Sequence, residues 1–235
     1  MIIIGNGFIA SNIKQVKLRN KSTVFFTSGV SNSKCKDKKE FKREYKKLKQ
    51  AIIKFPKYRF VYFSSCSVSD KSRSSNDYQK HKLNIEKYIK KNTKNYKIFR
   101  LPEVIGKSKN KNTLLNFFFI NIKKNKNITT SYNAYRNLID MRKIVTVVEF
   151  ILNNNYKKRT IEIVNLNSYS TIHIINSFEK IFKRKINYSI TTQYQNQDVF
   201  KININYISKI YKKLKIKFNK NYLYLELKKI YGNLN

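Results

Sequence analysis

Ile2-Ile3-Ile4 is a short apolar run that breaks at Gly5-Asn6-Gly7, and apolar positions then recur at Ile9, Ile13, Val16 and Leu18. The run predicts a buried parallel strand and the spacing a short helix. The same alternation continues along the chain. STVFFTSG (22–29) reads as a second buried strand that opens into a polar loop, SGVSNSK. Phe41, Tyr45, Leu48, Ile52 and Phe55 recur at helical spacing. RFVYFSS (59–65) is the next strand and ends in a serine cluster. A helix over DYQKHKLNIEKYIKK (77–91) follows, and then YKIFRLPEVIG, a strand stopped by Pro102 and Gly106. NTLLNFFFINIKK (112–124) looks helical and TIEIVN (160–165) is a further strand. IHIINSFEKIFKR (172–184) then leads into a polar, strand-poor stretch. The closing YLYLELKKIYG (222–232) predicts a helix packed back on the first domain. Strands that alternate with helices in this way predict an α/β fold around a mostly parallel sheet.

Composition narrows this picture. A chain of 235 residues that is 41% hydrophobic, with 17 Tyr and 16 Phe, can build a real core, so general disorder is not expected. Only 5 Gly and 2 Pro are present, so a Gly-x-Gly pair at the end of the first strand argues for a backbone reason there. The formal charge of +38 would attract anions of many kinds. Its lysines are scattered with no single basic arm, which argues against nucleic-acid binding. Cys35 and Cys66 form no metal-ligand set with His81 or His173, so neither a disulfide framework nor a zinc site is expected. The apolar start is too short for a signal peptide and TLLNFFFINI too short to span a membrane, so the expectation is a soluble, cytoplasmic protein.

Two stretches carry candidate chemistry. A strand that ends in Gly5-Asn6-Gly7 and feeds a helix lets backbone N–H groups approach a pyrophosphate. Ala10 is small enough for close helix packing. The acidic residue expected about 20 residues later for a ribose hydroxyl is missing. Downstream, Tyr78 stands four residues before Lys82, which puts phenol and ammonium on one helix face. A nearby cation favours the phenolate, so Tyr78 can act as acid or base, and a serine from the preceding strand end can share a carbonyl oxygen. Cys66 reads as a small buried filler, His81 as facing away from a bound cofactor, His173 as packing on or capping its helix, and Phe117-Phe118-Phe119 as core in preference to a pocket wall.

GNGFIA, SGVSNS, FVYFSSCSV, YQKHK and IFRLPEVIG, in this order, resemble the extended short-chain dehydrogenase/reductase family, in its nucleotide-sugar epimerase/dehydratase branch. The resemblance runs through about residue 165 and more loosely beyond. It implies a Rossmann-like sheet flanked by helices (1–165, with a substrate-contacting insert at about 105–142) and a small C-terminal substrate-side lobe (166–235). Ser65, Tyr78 and Lys82 would be catalytic. Gly5, Asn6, Gly7, Phe8, Ile9, Ser28, Gly29, Ser64, Tyr78, Lys82 and Leu101 would bind NAD or NADP. Ser65, Cys66, Asn112 and Arg136 would contact a nucleotide-linked sugar, Arg136 through its diphosphate. The same likeness suggests a role in surface polysaccharide synthesis and leaves room for a homodimer.

The departures from the family pattern are specific. Too few residues separate Ala10 from the VFF strand, so a strand–helix–strand portion of the Rossmann half is missing. The adenosine end of the site should be shallow and the choice of NAD or NADP unreadable. Cys66-Ser67 stand where the dehydratases of the branch carry an acidic pair, which disfavours 4,6-dehydration and leaves 4-keto reduction, preferred, or epimerisation. A non-catalytic NAD(P)-binding regulatory protein is the alternative.

Overall fold

The computed structural model describes residues 1–69, 76–191 and 203–233. These divide into two compact units, one of residues 1–101 and 142–163, the other of 102–141 and 164–235.

The first unit is built on five parallel strands, β1 (Ile2–Ile4), β2 (Thr23–Phe26), β3 (Arg59–Ser65), β4 (Tyr96–Leu101) and β8 (Thr160–Glu162), in the order β1-β2-β3-β4-β8. Helices α1 (Phe8–Ile13), α2 (Lys38–Lys54), α3 (Asp77–Asn92) and α5 (Met141–Asn153) connect them. The continuous apolar runs VFF and FVYF have their reason here, because both faces of the sheet are covered. Val24, Phe26, Phe60, Tyr62 and Ile98 pack on one face against Leu48, Ile52, Ile85 and Ile89 of α2 and α3. Phe25, Val61, Phe63 and Phe99 are equally buried on the opposite face. Beyond the end of α1, Lys17 N–H donates to Glu149 of α5 at 2.7 Å. Asp37 caps α2 by accepting from Lys39 N–H at 2.7 Å, and Asn76 caps α3 in a reciprocal box with Gln79.

Two sequence expectations change. The first helix ends at Ile13, although Val16 is still buried beyond it. YKIFRLPEVIG is not one strand: Pro102 divides β4 from β5 (Glu103–Ile105), and β5 joins a different sheet. Proline lacks the N–H a ladder needs, so the chain uses it to change sheets.

The second unit holds β5 beside β7 (Tyr135–Asp140) and β9 (Ser168–Ser170), and β6 (Ile128–Thr130) parallel to β10 (Tyr188–Ile190). Its core gathers residues of α4 (Leu114–Lys123), α6 (Thr171–Phe182) and α8 (Tyr222–Tyr231), including Phe118, Ile174, Phe178, Leu223 and Leu227. Phe118 is thus core, whereas Phe117 is half exposed. His173 packs edge-on against Tyr169. The stretch expected to be polar and strand-poor contains β10 and an amphipathic helix, α7 (Asn205–Leu214), which buries Ile207, Ile210 and Tyr211. Its residues 192–202 lie outside the described residues. Among the described residues no helix is long and apolar enough to cross a membrane.

Candidate active site

The two glycines of the opening turn have different reasons. Gly5 adopts φ +127°, and a Cβ there would lie 2.7 Å from Thr27 Oγ1 and 2.8 Å from the Thr27 carbonyl carbon. It lets the ends of β1 and β2 approach, where Thr27 donates to Ile4 O through both N–H and Oγ1. Around Gly7 a Cβ would meet nothing within 4 Å. Its missing side chain leaves open space beside the turn. Asn6 is exposed, Phe8 and Ile9 are half-buried, and Ala10 packs fully inside.

β3 ends at the same, C-terminal edge of the sheet. Ser65 lies opposite Leu101 of β4 in register and forms a hydroxyl pair with Ser67, Oγ to Oγ 2.8 Å. Ser67 N–H also donates to Ser65 Oγ. Ser64 Oγ is buried with no hydrogen-bond partner among the described residues, an orphan that a bound polar group would satisfy. Cys66 is buried, and burial pushes its thiol well up, reinforced by the charge of Glu162. It is no nucleophile there. Behind this turn Arg100 grips Glu86 with two bonds, at 2.9 and 2.7 Å, and donates to Ser69 at 2.6 Å.

α3 brings Tyr78 and Lys82 to this edge. Gln79, next to Tyr78, donates to Ser67 O at 2.9 Å and so joins the start of α3 to the hydroxyl turn. Tyr78 is buried, and Lys82 Nζ stands 5.6 Å from its ring centroid. That ammonium is only 2% exposed. It donates to Glu44 Oε1 at 3.1 Å and to the Tyr62 hydroxyl at 3.0 Å, and Tyr62 itself donates to Glu44 at 2.8 Å. The other carboxylate oxygen accepts Val30 N–H at 2.7 Å and faces His81 Nε2 at 2.9 Å. Gly29 closes over the cluster, since a Cβ on it would lie 2.7 Å from Lys82 Nζ. Burial alone would raise the Glu44 carboxyl, but the Lys82 charge and the His81 and Val30 hydrogen bonds hold it at about 2. Burial and the Glu44 charge push Tyr62 well up, so it remains a neutral donor. His81, stacked on Phe41, belongs to this cluster.

Gly29 therefore sits beside Lys82, and Arg43 Nη1 donates to Ser28 Oγ at 3.4 Å. Asn112 and Arg136 are in the second unit. Asn112 is exposed with its N–H on Asn110 Oδ1; Arg136 is half-buried, donates to the Tyr135 carbonyl and opposes the raised Glu103 carboxyl. Sequence reasoning missed Glu44 and Tyr62. A signal for Glu44 existed: it is an acidic residue in phase with the apolar positions Phe41 and Leu48, in a chain with 51 basic residues and 13 acidic ones.

The fold is shared with solved enzymes. UDP-glucuronic acid 4-epimerase from Bacillus cereus, in complex with UDP-glucuronic acid and NAD, matches 96% of this chain and 77% of its own at 17% identity and TM-score 0.68. This chain has the Rossmann-like α/β fold of such enzymes. UDP-glucose-4-epimerase from Stenotrophomonas maltophila, with bound NAD, shows the same fold over 90% of this chain and 75% of its own, at 12% identity and TM-score 0.68. RMD from Pseudomonas aeruginosa, complexed with NADPH, does so over 100% and 99%, at 11% identity and TM-score 0.71. No family model matches the chain, and no curated protein does. The likeness is one of fold; among the described residues β1 is the edge of the five-stranded sheet.

Proposed function

We propose that the protein is an NAD(P)-dependent oxidoreductase that acts on a nucleotide-linked sugar, by reduction of a 4-keto group, in surface polysaccharide synthesis. The observation that supports this is the pairing of Tyr78 with Lys82 on α3, whose start Gln79 ties to the Ser65–Ser67 turn at the end of β3. The residues fit the cofactor where it would be held: Gly7 leaves room beside the turn and Ser64 has an unsatisfied hydroxyl. The solved enzymes that share the fold carry NAD or NADPH, which supports the same cofactors here. When bound, the reduced nicotinamide supplies a hydride to the keto carbon.

The chain's own residues handle the proton. Ser65, held by Ser67, donates a hydrogen bond to the keto oxygen, and Tyr78 delivers its phenolic proton to that oxygen as the carbon accepts the hydride. Lys82 stabilises the negative charge left on Tyr78, while Glu44 opposes it. Asn112 and Arg136 are carried as substrate contacts by the sequence resemblance. Cys66-Ser67 in place of an acidic pair argue against dehydration.

The ion pair between Lys82 and Glu44 favours a second reading, a nucleotide-binding protein without turnover, because that ammonium is already committed to a carboxylate. Oxidation of NADH or NADPH in the presence of UDP- and dTDP-linked 4-keto sugars decides between them. Turnover is expected, and Tyr78→Phe should reduce it by about 10²-fold or more, a far larger loss than in nucleotide binding. Equal rates for wild type and Tyr78→Phe would defeat the enzymatic reading.

A further inference from the structure

In open parallel α/β sheets a ligand lies beyond the carboxyl ends of the strands where the strand order reverses, because the loops on either side of that point diverge and leave a crevice with two walls. A dinucleotide uses both walls, one for each nucleotide. Here the order runs β1-β2-β3-β4-β8 without reversal among the described residues. β1 pairs only with β2, through Ile2↔Val24, Ile3↔Phe25 and Ile4↔Phe26, and its own isoleucines are half exposed. The sheet has one wall.

That wall is complete. The β2 end turns through Ser28, Gly29 and Val30 and is pinned by Arg43 and Glu44, with Lys82 directly beneath Gly29. Ser64, with its buried orphan hydroxyl, and the Ser65–Ser67 pair continue it at the end of β3. On the other side of the Gly5–Gly7 turn no described strand stands to carry an adenine pocket. The ends of β1 and β2 offer Gly5, Asn6, Gly7, Thr27 and Ser28, and the two carboxylates next to them are already taken, Glu44 by Lys82 and Glu40 by Arg43. The Thr27 hydroxyl is already given to Ile4 O.

We infer that this is a mononucleotide site: the protein binds the nicotinamide mononucleotide half of the cofactor and leaves the adenosine half unheld. NADH, NADPH and reduced nicotinamide mononucleotide are therefore equivalent ligands. The inference rests on the proposed function for the presence of a nicotinamide, and on the strand order for the rest.

The three reduced nucleotides are to be titrated against the full chain by the change in nicotinamide emission, which a protein with no Trp leaves unobscured. About 0.5 M salt keeps a chain of charge +38 from drawing in the more highly charged nucleotides by its field alone. Dissociation constants within about fivefold of one another are expected, since no adenosine contact is made. AMP and ADP-ribose should fail to displace reduced nicotinamide mononucleotide. Gly7→Val, whose side chain enters open space in the protein, should weaken all three alike. An engaged adenosine would instead give NADH an advantage on the order of a hundredfold or more over the mononucleotide. That result, or displacement by AMP, overturns the inference and leaves the proposed function standing. If none of the three binds, both fall together.

Discussion

Glu44 gathers four donors from three parts of the first unit: one from the turn after β2, one from β3 and two from α3. A carboxylate at 0% exposure survives there because each oxygen is paired, and Lys82 is tolerated inside for the same reason. Glu44→Gln keeps the shape and removes the charge, which strands a buried ammonium. It should destabilise the fold by roughly 3–5 kcal/mol, and adding Lys82→Met should restore part of that. The pH dependence follows from the same carboxyl. Its folded value of about 2 lies below the usual 4.5, so its contribution is complete above pH 4.5 and is lost as the pH falls towards 2. Denaturant unfolding between these limits should show the gap between wild type and Glu44→Gln closing with acid; parallel curves would refute the pairing. Tyr78 and Lys82 were legible as a pair because four residues apart on one helix is a local relation. Glu44 was not, because its partner lies 38 residues away and only the packing of α2 against α3 brings them together.

α3 positions the pair, and its start is defined by side chains. Asn76 Oδ1 accepts Gln79 N–H at 2.8 Å, Gln79 Oε1 accepts Asn76 N–H at 2.9 Å, and Gln79 Nε2 then reaches Ser67 O. One residue thus caps the helix and holds the hydroxyl turn. Asn76→Ala should cost about 1 kcal/mol of stability. It should also loosen the register of Tyr78 against Ser65, seen as faster amide exchange at residues 77–80 than elsewhere in α3; uniform exchange along the helix would argue against that role. At this scale the regular elements of the first unit were readable, since VFF, FVYF and the long apolar-striped helices carry strong periodic signals. The second unit was less so. Its strands are three residues long apart from β7, too short for a pattern to declare itself, and they form by pairing with segments distant in sequence, as Tyr188–Ile190 does with Ile128–Thr130. Pro102 was read as an end when it is a crossing from one sheet to another.

The charge of the whole molecule acts on stability through its sum. With 51 basic and 13 acidic side chains, most lysines have no carboxylate to approach, and Glu44 and Glu86 are occupied inside. Like charges spread over one compact surface repel, and unfolding relieves them by moving them apart. Buried pairs are screened far less than surface charges, so added salt removes the repulsion while it leaves Lys82–Glu44 and Arg100–Glu86 nearly untouched. Raising chloride from about 0.01 M to about 0.15 M shortens the screening length from roughly 30 Å to roughly 8 Å. The unfolding midpoint should rise by several degrees, at about 2–4 °C for each kcal/mol gained in a chain of this size. A smooth rise with ionic strength, the same for sodium and potassium chloride, marks general screening. A flat or falling midpoint would show that repulsion does not limit this fold, and that the lysines are kept apart well enough for water alone to separate them.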